Sequence, residues 1–234
     1  MDVLHEGLAR LGMDDPALAE KMDAYIRTLQ AYNAKFNLVN TDGYDDIAVR
    51  HILDSLSGAT VIRTLLEKRI ADGTPRDEIV LADIGSGAGL PGIPLAAAFP
   101  GFPFMLVERM TKRADFLRHC AATLGLQNVS VEENQAERLA QRRFDIAAFR
   151  AFRPLEKKMT KVLLRILKDG GYLAAYKAKR EKIIAEMDAL PAVPAYEIVP
   201  LTVPFLTQCA ADERERNMVV ISCPRQSASA VLSG

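Results

Sequence analysis

One stretch constrains this chain more than any other: Val80-Leu81-Ala82-Asp83-Ile84-Gly85-Ser86-Gly87-Ala88-Gly89-Leu90-Pro91-Gly92. An apolar run enters glycines at 85, 87 and 89, and residues 93–99 are apolar again, which reads as buried strand, turn and helix. Glycine lets the backbone turn at positive φ and lets a ligand approach the main chain with no Cβ in the way. A dinucleotide loop needs GxGxxG, and the third glycine position counted from Gly85 holds Leu90. A phosphate loop needs Gly-Lys-Ser/Thr, which does not follow. GxGxG with Asp83 just before it suits a ligand that joins a nucleoside to an amino acid and carries no phosphates, namely S-adenosylmethionine. Asp83, Gly85, Ser86, Gly87, Gly89 and Leu90 are therefore candidate cofactor residues.

The rest of the chain supports a doubly wound α/β fold. Further short apolar runs fall at residues 104–107, 129–131, 146–149 and 172–176, with helical stretches such as 112–124 and 155–167 between them. Strands alternating with helices imply βαβ crossovers and a mostly parallel sheet. Residues 197–201 and 218–222 predict two last strands with no clear helix between them, hence an antiparallel edge. Residues 1–70 read as helices: Asp14-Asp15-Pro16 is a helix start, and Leu18, Met22, Tyr25, Ile26 and Leu29 follow at helical spacing. Another helix from about Asp45 carries Ile47, His51, Ile52 and Leu56 on one face. The polar Gly/Pro stretch at 71–76 marks a boundary.

Two acids sit where a nucleoside would lie beyond the carboxyl ends of such strands. Glu108 follows the second strand and can accept both ribose hydroxyls; a plain surface glutamate is the alternative. Glu137, a few residues after the third strand, falls where an adenine edge would be. The formal net charge is zero, which argues against a general polyanion binder. The distribution is uneven: residues 1–46 hold four Lys/Arg against nine Asp/Glu, and residues 109–182 hold eighteen against eight. A basic second half fits a localised nucleic-acid face, or simply solvated helices. Cys120, Cys209 and Cys223 lack metal spacing and read as buried reduced thiols. No run reaches membrane-span length and the start lacks a signal-peptide profile, so a cytoplasmic protein is expected, with a monomer as the default.

The residues from Asp83 to Leu95, in particular the Leu90-Pro91-Gly92-Ile93-Pro94-Leu95 extension, resemble the signature of the bacterial 16S rRNA guanine-N7 methyltransferases, RsmG or GidB. Asn37-Leu38-Val39 and the block Arg50-His51-Ile52-Leu53-Asp54-Ser55-Leu56 agree in order and spacing. So do Glu108 with Lys112-Arg113, Phe116-Leu117-Arg118, and Arg150-Ala151-Phe152. The resemblance spans roughly residues 33–222. It implies a Rossmann-like methyltransferase domain (73–224) with an N-terminal helical extension (1–72) and a tail (225–234). It also implies methyl transfer from S-adenosylmethionine to N7 of one guanine in small-subunit rRNA. Carried over by motif, Gly85 and Leu90 line the methionine and ribose, Ala136-Glu137 meet the adenine, and Arg150 faces cofactor or substrate. Ala178 after Lys177, and Glu213-Arg214-Glu215-Arg216, depart from the family pattern and bear on RNA contacts.

The chemistry agrees. Methylating an exocyclic amine usually needs an Asp/Asn-Pro-Pro-aromatic loop after strand four, where this chain reads Phe149-Arg150-Ala151-Phe152-Arg153-Pro154. Methylating pyrimidine carbon 5 needs a cysteine nucleophile, and none falls there. Guanine N7 has an in-plane lone pair and no proton, so transfer needs alignment and no general base. Arg150 can bond the cofactor carboxylate or guanine O6, or form a structural ion pair. Phe149 or Phe152 can stack on an extruded base or sit in the core. His51 is a packed helix residue or an acid–base group. Arg50, His51, Lys112, Arg113, Arg118, Arg153, Lys177, Lys179 and Arg180 are candidate RNA contacts, each also readable as a solvated or packed side chain. A small-molecule methyltransferase, or an RNA-binding assembly factor that kept only the fold, are the competing readings.

Overall fold

In the computed structural model, which describes residues 2–151, 155–192, 195–206 and 214–225, the run before the glycine loop forms β1 (Leu81–Ile84), buried at every position. It lies between β2 (Phe104–Glu108) and β4 (Phe144–Arg150), parallel to both. β3 (Val129–Glu133) extends one side and β5 (Leu167–Lys177) the other, again in parallel. The remaining strands, β6 (Tyr196–Leu201) and β7 (Arg216–Ser222), complete a sheet of order β3-β2-β1-β4-β5-β7-β6 among the described residues. β7 runs antiparallel to both its neighbours, which is the antiparallel edge expected from the sequence. The order reverses between β1 and β4, and ligands of doubly wound sheets bind outside the strand ends at such a switch.

Helix α1 (Val3–Arg10) is capped by Asp2, and α2 (Pro16–Phe36) by Asp15, whose side chain accepts from Ala17 N–H with Pro16 in the first turn. The next helix begins as α3 (Tyr44–Ile47), widens into a π-helical turn at Ala48–Leu53, and resumes as α4 (Asp54–Ser57) before α5 (Ala59–Ala71). The crossovers are α6 (Gly92–Ala98), α7 (Thr111–Thr123), α8 (Lys157–Arg165) and α9 (Arg180–Asp188). The expected helix over 155–167 is thus shorter at both ends, because Leu167 already pairs with Phe144 in the sheet.

The N-terminal helices share a core with the glycine-loop region: Leu8, Met22, Tyr25 and Ile52 pack with Leu90, Ile93, Leu106 and Phe116. Each large side chain buried there contributes about 1.5–3 kcal/mol. The opposite face of the sheet is covered by Met159 and Leu163 of α8 and Ile183 and Met187 of α9. Cys120 is buried as expected, Cys223 is only half-buried, and Cys209 lies outside the described residues.

Candidate functional site

The glycine loop is held from behind by its own neighbours. Gly85 and Ser86 N–H both donate to the Val107 carbonyl, at 2.8 and 3.0 Å, which ties the loop to the end of β2. Ser86 Oγ donates to the Asp83 carbonyl at 2.9 Å. Asp83 Oδ2 accepts from Gly92 N–H at 2.9 Å, while Oδ1 is buried without a hydrogen-bond partner. Burial pushes the Asp83 carboxyl up to about 7, against the opposing hydrogen bond from Gly92. A Cβ at Gly92 would overlap Leu106 and Asp83, so only glycine lets the helix start approach the strand this closely. Gly89, at φ 93°, faces Ile93, Leu117 and the Tyr25 hydroxyl, which donates to the Ala88 carbonyl.

In front of the loop lies a cavity of about 190 Å³, lined among others by Gly85, Glu108, Asn134, Ala136 and Glu137. Glu108 is 4% exposed, and its two oxygens accept from Gly87 and Met110 N–H, both at 2.9 Å. A buried carboxylate beside a Cβ-free glycine, at the end of β2, fits a nucleoside with two vicinal hydroxyls. Of the sequence-predicted cofactor residues, Gly85, Glu108, Ala136 and Glu137 thus share one wall. Asp83, Ser86 and Leu90 are buried, and Asp83 and Ser86 brace the loop through the hydrogen bonds above.

A second cavity, of about 580 Å³, adjoins the first: Ala151 lines both. Ala151 has φ 50°, a left-handed conformation unusual for a residue with a Cβ, and such outliers concentrate at functional sites. The second wall carries Arg150, His51, Asp54, Tyr176, Lys177 and Arg216. Arg150 Nη1 donates to Asp54 at 2.5 Å and to the Arg50 carbonyl at 3.1 Å, and Nη2 lies 3.2 Å from His51 Nδ1. Arg216 Nε donates to the other Asp54 oxygen at 3.0 Å. With Nδ1 accepting from Arg150, the His51 proton is assigned to Nε2, which is buried and has no partner. Burial first, then the Arg150 charge, lowers His51 to about 4. His51 is therefore neutral at physiological pH, locked between packing and Arg150.

The candidate RNA contacts scatter over several environments. Arg50 lines the second cavity and lies 3.8 Å from Asp46. Arg113 lines the first cavity, and Lys112 is exposed on α7. Arg118 pairs with Asp115 at 2.8 Å, and Lys177 with Glu186 at 2.8 Å. Arg180 is exposed and Lys179 half-buried, and the Arg180 N–H donates to Glu215 at 2.8 Å. Phe149 is buried in the core; Phe152 and Arg153 lie outside the described residues. Asp54, Arg216 and Tyr176 also line the second cavity, although none is among the candidate site residues read from the sequence. The signal for Asp54 was present, since Arg50, His51 and Asp54 recur at helical spacing within one block.

Residues 18–216 match the family model described as rRNA small subunit methyltransferase G, GidB. The ribosomal RNA small subunit methyltransferase G of Treponema denticola is 36% identical over 95% of this chain and 94% of its own length. The protein of the same name from Stenotrophomonas maltophilia strain K279a is 37% identical over 94% of both chains. Among solved structures, the fold is similar to that of tRNA (m1A58) methyltransferase TrmI from Aquifex aeolicus, with a TM-score of 0.52 at 12% identity. That alignment covers 71% of this chain and 68% of the other, and at such identity it speaks for the fold alone.

Proposed function

The chain belongs to the rRNA small subunit methyltransferase G family, and from that membership we propose that it methylates N7 of a guanine in 16S rRNA, using S-adenosylmethionine. The observation that carries this reading is the pair of adjoining cavities meeting at Ala151, one with the buried Glu108 carboxylate on its wall and one with more cationic than acidic side chains on its wall. When bound, the cofactor supplies an electrophilic methyl group. Gly85, Glu108, Ala136 and Glu137 hold its nucleoside, while Arg150 and its partners face the acceptor from the second cavity.

What these residues do not provide is equally pertinent. Guanine N7 needs no proton removed, so the reading asks for no general base at the junction. His51 is neutral but its Nδ1 is engaged by Arg150. The Cys120 thiol, pushed up to about 12 by burial, lies on α7 outside both cavity walls. Alignment of nucleophile, methyl and sulfur then carries the acceleration. Arg150 can oppose charge build-up near guanine O6 or hold the cofactor carboxylate, as its planar fork suits either.

No described helix is long and apolar enough to cross a membrane. The protein acts as a cytoplasmic monomer, which sedimentation of the purified chain tests. The decisive experiment incubates it with labelled cofactor and small subunits that lack their own N7 methyl group, then maps the label. Transfer to a single guanine N7 is expected; label elsewhere, or none, refutes the reading.

A further inference from the structure

The wall of the second cavity holds a buried carboxylate to which the methyl-transfer reading gives no role of its own. Asp54 is 4% exposed, yet it sits between two arginines from different strands: Oδ2 accepts from Arg150 at the end of β4, and Oδ1 from Arg216 at the start of β7. Arginine has five N–H donors. On Arg150, Nη1 serves Asp54 and the Arg50 carbonyl, and Nη2 serves His51, so Nε–H and one Nη2–H are left for a ligand among the described residues. All three acceptors come from one short segment, the π-helical turn Ala48–Leu53 and the residue that follows it. Such turns are rare and recur at functional sites. Here the turn aims a carbonyl, an imidazole nitrogen and a carboxylate at one guanidinium, which fixes the guanidinium plane.

We propose that Asp54 is a positioning residue for methyl transfer, its carboxylate clamping Arg150 and Arg216 at the wall of the acceptor cavity so that Arg150 presents its two remaining donors in one orientation. The proposal rests on the methyltransferase reading above and adds a named residue to it. Charge supports it as well. One carboxylate between two guanidiniums leaves the trio with a net positive charge, which suits an electron-rich acceptor, and removing Asp54 raises that charge. Loss of the clamp should therefore leave RNA attraction intact or stronger while orientation fails.

The test compares wild type with Asp54→Asn and Asp54→Glu. Three quantities are measured: affinity for S-adenosylmethionine by calorimetry, Tm, and steady-state kinetics on small subunits lacking the N7 methyl group. A misplacement of about 1 Å costs on the order of a hundredfold in rate. Asp54→Asn is expected to lose about a hundredfold in kcat, with KM for the subunit not raised and cofactor affinity within about threefold, the split that marks an interaction needed in the transition state. Asp54→Glu keeps the charge but displaces the carboxylate by one methylene, and about tenfold or more in kcat should go with it. A purely charge-compensating role would spare the Glu variant, so wild-type turnover there overturns the proposal. So does a kcat loss matched by an equal loss of cofactor affinity or a raised KM. Should the Asn variant fail to fold, the Glu variant decides alone. A wild-type protein without N7 transfer would instead refute the methyltransferase reading, and that outcome is distinct from active wild type with unimpaired Asp54 variants.

Discussion

Strand β4 carries a buried ionic cluster at each end, and the two use the same chemistry differently. At its start, Asp145 is fully buried: one oxygen accepts from Arg69 Nε and Nη2 at 3.0 and 2.7 Å, and the other from Val80 N–H and Lys168 at 2.9 and 2.8 Å. Arg69 Nη1 goes to the Asp169 carbonyl at 3.0 Å. At its end, Arg150 meets Asp54 and Arg216 on the wall of a cavity, with donors left over. A carboxylate between two cations is thus a closed fastening at the amino ends of the strands and an open, aimed one at the carboxyl ends, where such sheets bind ligands. The contrast breaks most directly at the closed end. Arg69→Ala strips one buried Asp145 oxygen of both its donors and leaves the carboxylate only Lys168 and the Val80 N–H on the other, and urea denaturation should show a loss of about 3 kcal/mol. Turnover per folded molecule should stay at the wild-type value. A stability loss confined to a few tenths, or a fall in turnover, would erase the distinction between the two ends.

The open end should respond in the opposite sense. Arg150→Lys keeps a positive charge but replaces the planar fork by a point charge that cannot serve Asp54, His51 and the Arg50 carbonyl in one plane. Turnover on small subunits should fall about a hundredfold, as expected for lost alignment. The urea midpoint should move less than in Arg69→Ala. Near-normal turnover would mean that Arg150 is a structural ion pair after all.

The same contrast explains what was legible in the sequence. The glycine loop, β1 and Glu108 are consecutive or nearly so, and their pattern is local: an apolar run, three glycines, a second run, an acid. α2 was readable from Asp15-Pro16 for the same reason, because a cap and a first-turn proline act within one turn. The start of β5 was not, since Lys168-Asp169-Gly170-Gly171 has turn composition; Gly170 at φ 69° sits where the register with β4 shifts. α9 is hard to read because its buried face is a single i, i+4 pair, Ile183 and Met187, in a nine-residue helix otherwise rich in charge. The Asp54 cluster is illegible for a deeper reason. Its partners lie 96 and 162 positions away, so only the fold brings them together. Lys177, a natural choice for a phosphate, is instead engaged by Glu186, a partnership no local pattern announces.

The first cavity offers a smaller effect that sharpens the division of labour between the two. Glu108 already receives Gly87 and Met110 N–H, so its charge shapes the loop and, on the proposed reading, also serves the ligand. Hydrogen bonds to a charged group are worth about 1.5–3 kcal/mol. Glu108→Gln should therefore weaken S-adenosylmethionine binding by about tenfold or more, read by calorimetry, with the circular dichroism spectrum unchanged. Unaltered affinity would remove Glu108 from the cofactor site and leave it as a loop brace.

Behind that loop, Asp83 should leave the faintest mark, visible only as a pH dependence. Its folded value near 7 stands above the ordinary 3.8 because burial disfavours the charged form. From pH 3.8 upward the unfolded chain has released this proton while the folded one retains it, so stability falls as pH rises toward 7 and levels off above it. Each pKa unit corresponds to about 1.4 kcal/mol, so the loss between pH 6 and pH 8 should be on the order of 1 kcal/mol. His51 acts in the opposite direction: lowered to about 4, it costs stability as pH falls below 6.5. The two trends partly cancel in the wild type, which is why the difference from Asp83→Asn is the informative quantity. Asparagine can still accept from Gly92 N–H but cannot titrate, so His51 contributes equally to both proteins and drops out. The variant should gain on the wild type from pH 6 to about pH 7 in urea denaturation, with the gain flattening by pH 8. A constant difference across that range would mean that Asp83 stays ionised in the folded chain, held by loop contacts stronger than its burial.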